Sequence, residues 1–479
     1  IIGTELITYS SKSGNTLSGL TRGASGTTAA IHSSGATVTD ASTYAGWGAA
    51  PSGDIITAPG LWALDNFGNT LIATIFSGET FTWSSDATNA TNTRAALASG
   101  APTASRDMLV STPDRHLVFF GTETTIGTKS TQDQMFIRFS SQEDITDYVP
   151  TATNSAGTQR LADGSRIMGA LRGRNAIYVW TDTALFLMRF VGAPFTFAFE
   201  QVGTNCGLIG KNAAVEVDGT VYWMSENGFF RYGGQLESLP CLVEDFVFDD
   251  LNTVTKQHVN AGLNNLFGEI NWFYVSSGSN TVNRVVTYNY FDSSNDRPIW
   301  TTGTLDRTAW ADSAIFGKPH ATQYDTTTNG TAGSSTYVQG NSDGVSIYYE
   351  HETGLNQVKE GAETAIAANI ESGDFDISLT KEGGASTKGD GEYMMKISRV
   401  IPDFLSQTGD ATVTLNLRDF PTDVEASSSL GPFTVTTNTK KIDTRARARA
   451  ISLKVSNTST GQFWKLGTFR LDIQPDGRR

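Results

Sequence analysis

The stretch Ala213-Ala214-Val215-Glu216-Val217-Asp218-Gly219-Thr220-Val221-Tyr222-Trp223-Met224-Ser225-Glu226-Asn227-Gly228-Phe229-Phe230-Arg231-Tyr232 holds three apolar runs separated by two turn dipeptides. Short runs rich in Val, Tyr, Trp and Phe suit a pleated, packed surface and are too brief for a stable helix. Asp218-Gly219 and Asn227-Gly228 offer the positive φ values that tight two-residue hairpin turns require. Three consecutive strands in a meander are therefore expected.

Outward from there, period two recurs almost everywhere. Ala411-Thr412-Val413-Thr414-Leu415-Asn416-Leu417-Arg418 places Val413, Leu415 and Leu417 on one face, and Phe469, Leu471 and Ile473 repeat the pattern near the end. Leu242–Leu251 reads as a helix with Val243, Phe246, Val247 and Leu251 on one side, and a shorter helical turn is expected at Ser141–Asp147. Strong strand cores begin at Leu71, Leu117, Ile177, Val221 and Trp272, at spacings of 46, 60, 44 and 51 residues. Each has an aromatic nearby: Trp83, Phe119, Trp180, Trp223 or Phe273. Four-stranded propeller blades need roughly 40–50 residues each, so the rhythm predicts an all-β, irregular β-propeller. Two stacked sandwiches would give a similar rhythm and are the less favoured reading. Three regions are expected: a small N-terminal β module over 1–46, propeller blades over 47–353, and over 354–479 a C-terminal β-sheet appendage or a set of strands that close the propeller, where Pro402 and Pro421 sit at strand ends.

Composition narrows the function. The chain has 479 residues, enough to bury a large core without disulfides or metals. Thirty-five basic against 49 acidic side chains give a net charge of −14, a poor surface for gripping a phosphate backbone. Cys206 and Cys241 are the only cysteines, which excludes a disulfide scaffold and fits assembly in a reducing cytoplasm. No apolar run reaches membrane-spanning length, so membrane insertion is not expected. The chain opens on Ile1 and not on Met, with no basic-then-apolar signal segment, which leaves room for residues upstream.

Motifs that could carry chemistry fail on context. Gly340-Asn341-Ser342-Asp343-Gly344 fits the nucleophile-elbow pattern, but the strand-like Val345-Ser346-Ile347-Tyr348-Tyr349 follows where a helix is needed. Gly207-Leu208-Ile209-Gly210-Lys211 resembles a phosphate loop, yet its first glycine would fall at Asn205 and a strand follows. The histidines His32, His116, His258, His320 and His351 are scattered singly, and His351-Glu352 lacks the second histidine of a zinc helix. Ser77–Trp83 resembles a sialidase aspartate box but has Gly78 and Thr80 in place of its Asp and Gly. Asp374 with Asp376 on one strand face and Asp249-Asp250 at a helix end are carboxylate pairs of the sort a glycosidase uses, although 49 acidic residues make chance pairs common. No catalytic, cofactor-binding or metal-ligating residue is assigned, and no enzyme activity is expected. Arg445, Arg447 and Arg449 alternate, so a strand lays them on one face, while Ile451, Leu453 and Val455 hold the same parity. Either the strand passes from a polar setting into a core, or a bulge intervenes. In an acidic chain these arginines suit pairing with carboxylates of another subunit better than nucleic-acid contact, and they are the candidate subunit-interface residues.

A resemblance adds to this reading. Tyr178-Val179-Trp180-Thr181-Asp182-Thr183, Gly192-Ala193-Pro194-Phe195-Thr196-Phe197 and Asn205-Cys206-Gly207-Leu208-Ile209-Gly210-Lys211-Asn212-Ala213-Ala214 resemble segments of a family of phage virion proteins. Asp218 through Met224, Asn227-Gly228-Phe229-Phe230, Arg307-Thr308-Ala309-Trp310, Ile401-Pro402-Asp403-Phe404, Gly431-Pro432-Phe433, Trp464-Lys465-Leu466-Gly467-Thr468 and the ending Arg470–Arg479 are similar too. The family is that of tail nozzle or hub proteins of short-tailed phages, also called packaged-DNA stabilisation proteins, and the resemblance covers about residues 46–479. It implies a sixfold ring (a homohexamer) in the virion tail, beneath a tail adaptor protein, that closes and conducts the DNA channel and carries fibres or spikes. Residues 3–38 resemble a small module found in phage structural proteins. The resemblance implies no cofactor and no active site. The competing reading is a receptor-binding, glycan-binding or glycan-cleaving propeller of a tail fibre or spike, against which stands the lack of coiled-coil heptads. For a DNA conduit the net acidity predicts an acidic or neutral wall that repels phosphates, with the three arginines facing carboxylates away from the lumen.

Overall fold

The computed structural model describes residues 62–84, 95–112, 114–174, 176–313, 316–325, 345–359, 362–377, 393–420 and 426–477, and all of 2–38 except 3, 4, 15, 25–27 and 37. The Gly340–Gly344 motif and Pro421 lie outside them. The chain divides into two compact units, Ile1–His351 and Glu352–Arg479.

The first unit is a β-propeller, and its described residues form six consecutive antiparallel meanders. Blade 1 comprises Trp62–Phe67, Thr70–Ile75, Thr80–Ser84 and Ala96–Leu97; blade 2, Asp107–Val110, Leu117–Phe120, Phe136–Phe139 and Gly157–Arg160. Blade 3 comprises Ile167–Arg172, Ile177–Thr181, Ala184–Gly192 and Thr196–Thr204; blade 4, Ala214–Val217, Thr220–Ser225, Gly228–Tyr232 and Leu236–Leu239. Blade 5 comprises Asn260–Asn264, Glu269–Tyr274, Arg284–Asn289 and Trp300–Gly303, and blade 6 has Ala309–Ala311, His320–Asp325 and Val345–Glu350. The five strand cores singled out from the sequence are the second strands of blades 1 to 5. In blades 2 to 5 these strands are buried on both faces, so their apolar residues run with little alternation.

That two-sided burial extends to an aromatic at a shared position. The fourth residue of the second strand is Phe120, Trp180, Trp223 and Trp272 in blades 2 to 5, and all four side chains are inaccessible. Phe119 and Phe273, the nearby aromatics of the sequence reading, flank this position and are equally inaccessible. The rung also joins blades: the Trp223 indole N–H donates to the Cys206 carbonyl at 2.8 Å and Trp272 to the Ala213 carbonyl at 3.0 Å. Trp223 and Trp272 thus reach back toward the preceding blade, burying a large apolar surface while their one polar atom is satisfied; the Trp180 indole packs on Trp223 at 5.5 Å, its N–H buried without an acceptor.

The turns divide. Asp218 and Gly219 both take positive φ, 49° and 86°, as a type I′ hairpin demands. At the next turn Ser225 pairs with Gly228, so Glu226 and Asn227 form the connection and only Gly228 takes a positive φ. The expected helical turn at Ser141–Asp147 is instead an irregular turn in which Ser141 and Asp144 form an isolated antiparallel bridge. The helix α1 spans Glu244–Asp250; Val247 and Leu251 are buried as expected, but Phe246 is exposed. In the N-terminal segment, Ser11–Ser13 pairs with Thr16–Ser18, and the inaccessible Glu5 carboxylate accepts from Arg22 Nε at 2.6 Å and the Ala30 amide at 2.9 Å.

Among its described residues the second unit is a sandwich of a four-stranded and a three-stranded sheet around one core, with two further two-stranded pairings, Asn356–Lys359 with Ala362–Ala365 and Phe404–Thr408 with Phe463–Leu466. One sheet orders Asn369–Glu371, Ala450–Ser456, Ala411–Arg418 and Ser428–Val435; the other orders Ile442–Ala448, Met395–Ile401 and Arg470–Pro475. Met395, Ile397, Val413, Leu415, Ala446 and Val455 meet in its core. The strand Ile442–Ala448 and the strand Ala450–Ser456 belong to different sheets, so the chain changes sheet at Arg449. This resolves the parity conflict between the arginines and Ile451, Leu453 and Val455.

Candidate functional site: the axis of the propeller

The first strands of neighbouring blades lie side by side, blade 1 with 2, 2 with 3, 4 with 5 and 5 with 6. They border two adjoining open cavities. The larger, about 570 Å³, is walled by the first strands of blades 1, 2 and 3 and by Lys211 and Asn212. The smaller, about 250 Å³, is walled by Ala170 and Leu171 of blade 3, Ala214, Asn260, Ala261, Ala309 and the indoles of Trp180 and Trp310. Residues 170, 171, 211 and 212 border both.

Four charged side chains tie the axis together. Lys211 Nζ lies 3.0 Å from Asp107 Oδ1 and 3.1 Å from the Trp62 carbonyl, linking the entry to blade 4 with blades 1 and 2. Asp107 Oδ2 accepts from the Ala170 amide of blade 3 at 3.0 Å. Arg172 of blade 3 pairs with Asp65 of blade 1, whose Oδ2 also accepts from the Val110 amide of blade 2 at 2.8 Å. Two carboxylates face two cations, so the axis is charge-balanced, and each carboxylate also draws on backbone donors. Arg106 extends the stitching: its Nε donates to the Ile167 carbonyl at 2.6 Å, and its guanidinium stands over Phe76 at 4.7 Å. Burial, with the charge of Arg166 nearby, lowers its pKa to about 10.

Lys211 belongs to the segment that resembles a phosphate loop, and the geometry removes that chemistry. A Cβ on Gly207 would fall 2.2 Å from the Asp182 carbonyl oxygen, and one on Gly210 would sit 3.1 Å from the carbonyls of Lys256 and Gln257. These glycines serve close backbone packing, and the lysine is committed to Asp107. The axial quartet was not legible beforehand, because its members are far apart in sequence and only blade closure brings them together.

The remaining candidates are dispersed. Arg445 and Arg447 are exposed on the strand Ile442–Ala448, opposite the buried Ala446 and Ala448. Arg447 Nε lies 2.6 Å from Asp476 of its own chain, and the Arg449 amide donates to the Arg418 carbonyl at 3.2 Å. Asp374 pairs with Arg418 at 2.8 Å, and its segment forms a single bridge, Phe375 with Ile451, where a strand face was expected. Asp250 pairs with Arg284 at 3.2 Å. Each histidine has a local role. His32 contacts Glu5 at 2.7 Å, His116 contacts Asp114 at 2.8 Å, His258 lies in a short 3₁₀ turn, His320 stacks on Tyr348, and His351 Nε2 accepts from Arg307 Nε at 2.9 Å. No cluster of metal-ligating side chains occurs among the described residues. Both cysteines are free, and burial pushes the thiols up to about 11 for Cys206 and about 12 for Cys241, far from a reactive thiolate.

No family model matches the chain, and no curated protein matches it. Solved structures do. The dihydro-heme d1 dehydrogenase NirN is 10% identical over 55% of this chain and 51% of its own, with a TM-score of 0.34. Sqt1 of Saccharomyces cerevisiae is 9% identical over 70% of this chain and 92% of its own, with a TM-score of 0.34. AztD from Citrobacter koseri is 8% identical over 51% and 72%, with a TM-score of 0.29. The chain spans about half the length of NirN. These likenesses are too weak to carry a function, and the six blades of the described residues rest on the order of the sheets.

Proposed function

We propose that the protein is a structural subunit of a bacteriophage tail, a nozzle or hub whose copies form a ring that closes and conducts the DNA channel and anchors fibres or spikes. The observation that carries this reading is the ordered series of segments, from Tyr178 to the ending Arg470–Arg479, that resembles the nozzle family. The propeller axis is consistent with it. Cavities of about 570 and 250 Å³, crossed by ion pairs, cannot pass a duplex whose major groove alone is about 12 Å wide. A conduit would therefore run between subunits of a ring, where a net charge of −14 per copy is multiplied around one axis and holds the DNA off the wall. The role asks for assembly and passage, and no step of it requires turnover. Arg445, Arg447 and Arg449 are the residues offered to a neighbouring copy. A second reading, a glycan- or receptor-binding propeller of a fibre or spike, draws on one feature: on blade 6 the half-buried His320 stacks on the exposed Tyr348 and meets the exposed Phe316 edge-on.

Electron microscopy of the purified protein separates the two. A hollow ring with an axial channel is the expected outcome, and an elongated trimer would favour the fibre. Reversing Arg445, Arg447 and Arg449 to Glu is expected to impair ring assembly more than DNA release from assembled particles.

A further inference from the structure

In blade 2, the connection between Val110 and Leu117 and the segment entering Gly157–Arg160 bring together a carboxylate, an imidazole and a hydroxyl in series. Asp114 Oδ2 lies 2.8 Å from His116 Nδ1, and His116 Nε2 lies 3.1 Å from Ser155 Oγ. The carboxylate is itself fixed, with both oxygens 2.8 Å from the Ser111 hydroxyl. Asp114 and His116 are buried and Ser155 is half-buried. With Nδ1–H donating to the carboxylate, Nε2 is left as the acceptor for the Ser155 proton, the tautomer a general base needs. The imidazole is clamped by Phe139 and Phe197 at edge-on centroid distances of 6.2 and 5.2 Å and covered by Phe190 at 5.8 Å. Phe190 belongs to the long hairpin of blade 3, whose end exposes Phe190, Val191 and Phe195.

We propose that Asp114, His116 and Ser155 form a serine-hydrolase triad for carboxylic esters with an apolar acyl group. Ser155 Oγ attacks the ester carbonyl as His116 Nε2 takes its proton; the proton passes to the departing alkoxide as the acyl–oxygen bond breaks. Water then attacks the acyl-serine, His116 again taking and returning a proton, which releases the carboxylic acid and restores Ser155. Asp114 is a positioning residue. The Gln142 amide donates to Ser155 Oγ at 2.7 Å and holds the hydroxyl in place beside His116. The exposed apolar end of the blade 3 hairpin supplies the surface on which an acyl chain lies. The triad stands on its own geometry and is independent of the ring reading.

The test uses the full chain and a fluorophosphonate probe, which bonds to an activated serine and expels fluoride, followed by peptide mapping. A single adduct on Ser155 is expected, with turnover of p-nitrophenyl butyrate. Ser155→Ala should remove both. Asp114→Asn should slow both by about 10⁴-fold, because the imidazole then adopts the wrong tautomer. Thermal melts establish that each variant is folded, and Asp114→Asn decides if Ser155→Ala is not. Fatty-acid release from phosphatidylglycerol vesicles or from lipopolysaccharide, tried separately, supports the triad and identifies the source of the ester. No adduct on the folded wild-type protein, or an adduct that persists unchanged in Ser155→Ala, overturns the proposal and leaves His116 as a structural tie between blades 2 and 3.

Discussion

The propeller and the C-terminal sandwich are both antiparallel β-structure, yet they solve opposite problems. In the propeller the strands of each blade pair with their neighbours in sequence, and the distant contacts are mostly made by side chains, the tryptophan rung and the ion pairs across the axis, with single backbone bonds such as the Ala261 amide to the Asn212 carbonyl at 2.7 Å. In the sandwich the pairings themselves are distant, Asn369 with Ser456 and Met395 with Pro475, while its charges, such as Arg447 and Asp476, stay half exposed at the surface. A fold assembled from local meanders can leave long-range cohesion to a few buried side chains. A fold with non-local pairing has that cohesion in its backbone and gains little from surface charge.

The largest expected effect breaks the propeller's side of this contrast. Trp272 is inaccessible, packs on Phe229 at 5.0 Å and donates to the Ala213 carbonyl. Trp272→Ala should cost about 3–5 kcal/mol through the cavity it leaves. Equilibrium denaturation gives that value, and a loss under about 1 kcal/mol would mean that the rung does not hold neighbouring blades together.

Next comes the axis. Lys211 and Asp107 keep only 12% and 6% of their side-chain surface, so removing the cation strands a buried carboxylate. Lys211→Ala should destabilise by about 3 kcal/mol, the low end for a broken buried pair, because backbone amides still serve Asp107. The double variant with Asp107→Asn should recover part of the loss, and strict additivity of the two changes would show that they do not interact.

The same contrast explains what the sequence could and could not disclose. The meander at 213–232 was readable because turn and strands lie within one short window, and the second strands of blades 2 to 5 stood out because burial on both faces leaves them with little alternation. Blade 6 was not anticipated: its second strand, His320-Ala321-Thr322-Gln323-Tyr324-Asp325, is polar and lacks the aromatic at the fourth place. The exposed Phe246 departed from the helix pattern because a helix of two turns has little core to meet. In the sandwich, period two was legible at 411–418, but no local signal announces that Ala411–Arg418 pairs with Ala450–Ser456. The axial quartet and the Asp114–His116–Ser155 series were equally hidden, since only the folded chain joins their members. His116 was noted as an isolated histidine, and its neighbour two residues earlier was the one available hint.

A smaller effect is pH-dependent. Burial, reinforced by the positive charge of Arg307 and by His320, lowers the His351 pKa to about 4 from an ordinary 6.5. Arg307 Nε donates to His351 Nε2, which must be unprotonated to accept. The folded protein therefore binds fewer protons here than the unfolded chain. The contribution is fully present above about pH 6.5 and is lost as pH falls toward about 4. Thermal midpoints between pH 7 and 4.5 should fall more steeply for the wild type than for His351→Gln, whose amide oxygen still accepts from Arg307. Parallel profiles would show that His351 does not titrate in this way.

The smallest expected effect sharpens the sandwich's side of the comparison and bears on assembly. Arg447 and Asp476 are 44% and 45% exposed and 2.6 Å apart, so water screens the pair and holding two side chains in one geometry costs entropy. Arg447→Ala should cost the isolated protein under about 1 kcal/mol. That small number gives the variant its use. If Arg447→Ala leaves the melting temperature of the isolated chain nearly unchanged but weakens ring formation in sedimentation, the energy lost in the ring must come from a contact with another copy. In that setting the guanidinium would be desolvated and its fork geometry would matter. Lys at the same position should then fail to restore assembly although it keeps the charge. If assembly and stability change together and by the same small amount, Arg447 serves its own chain alone, and the subunit contact has to be sought on another face.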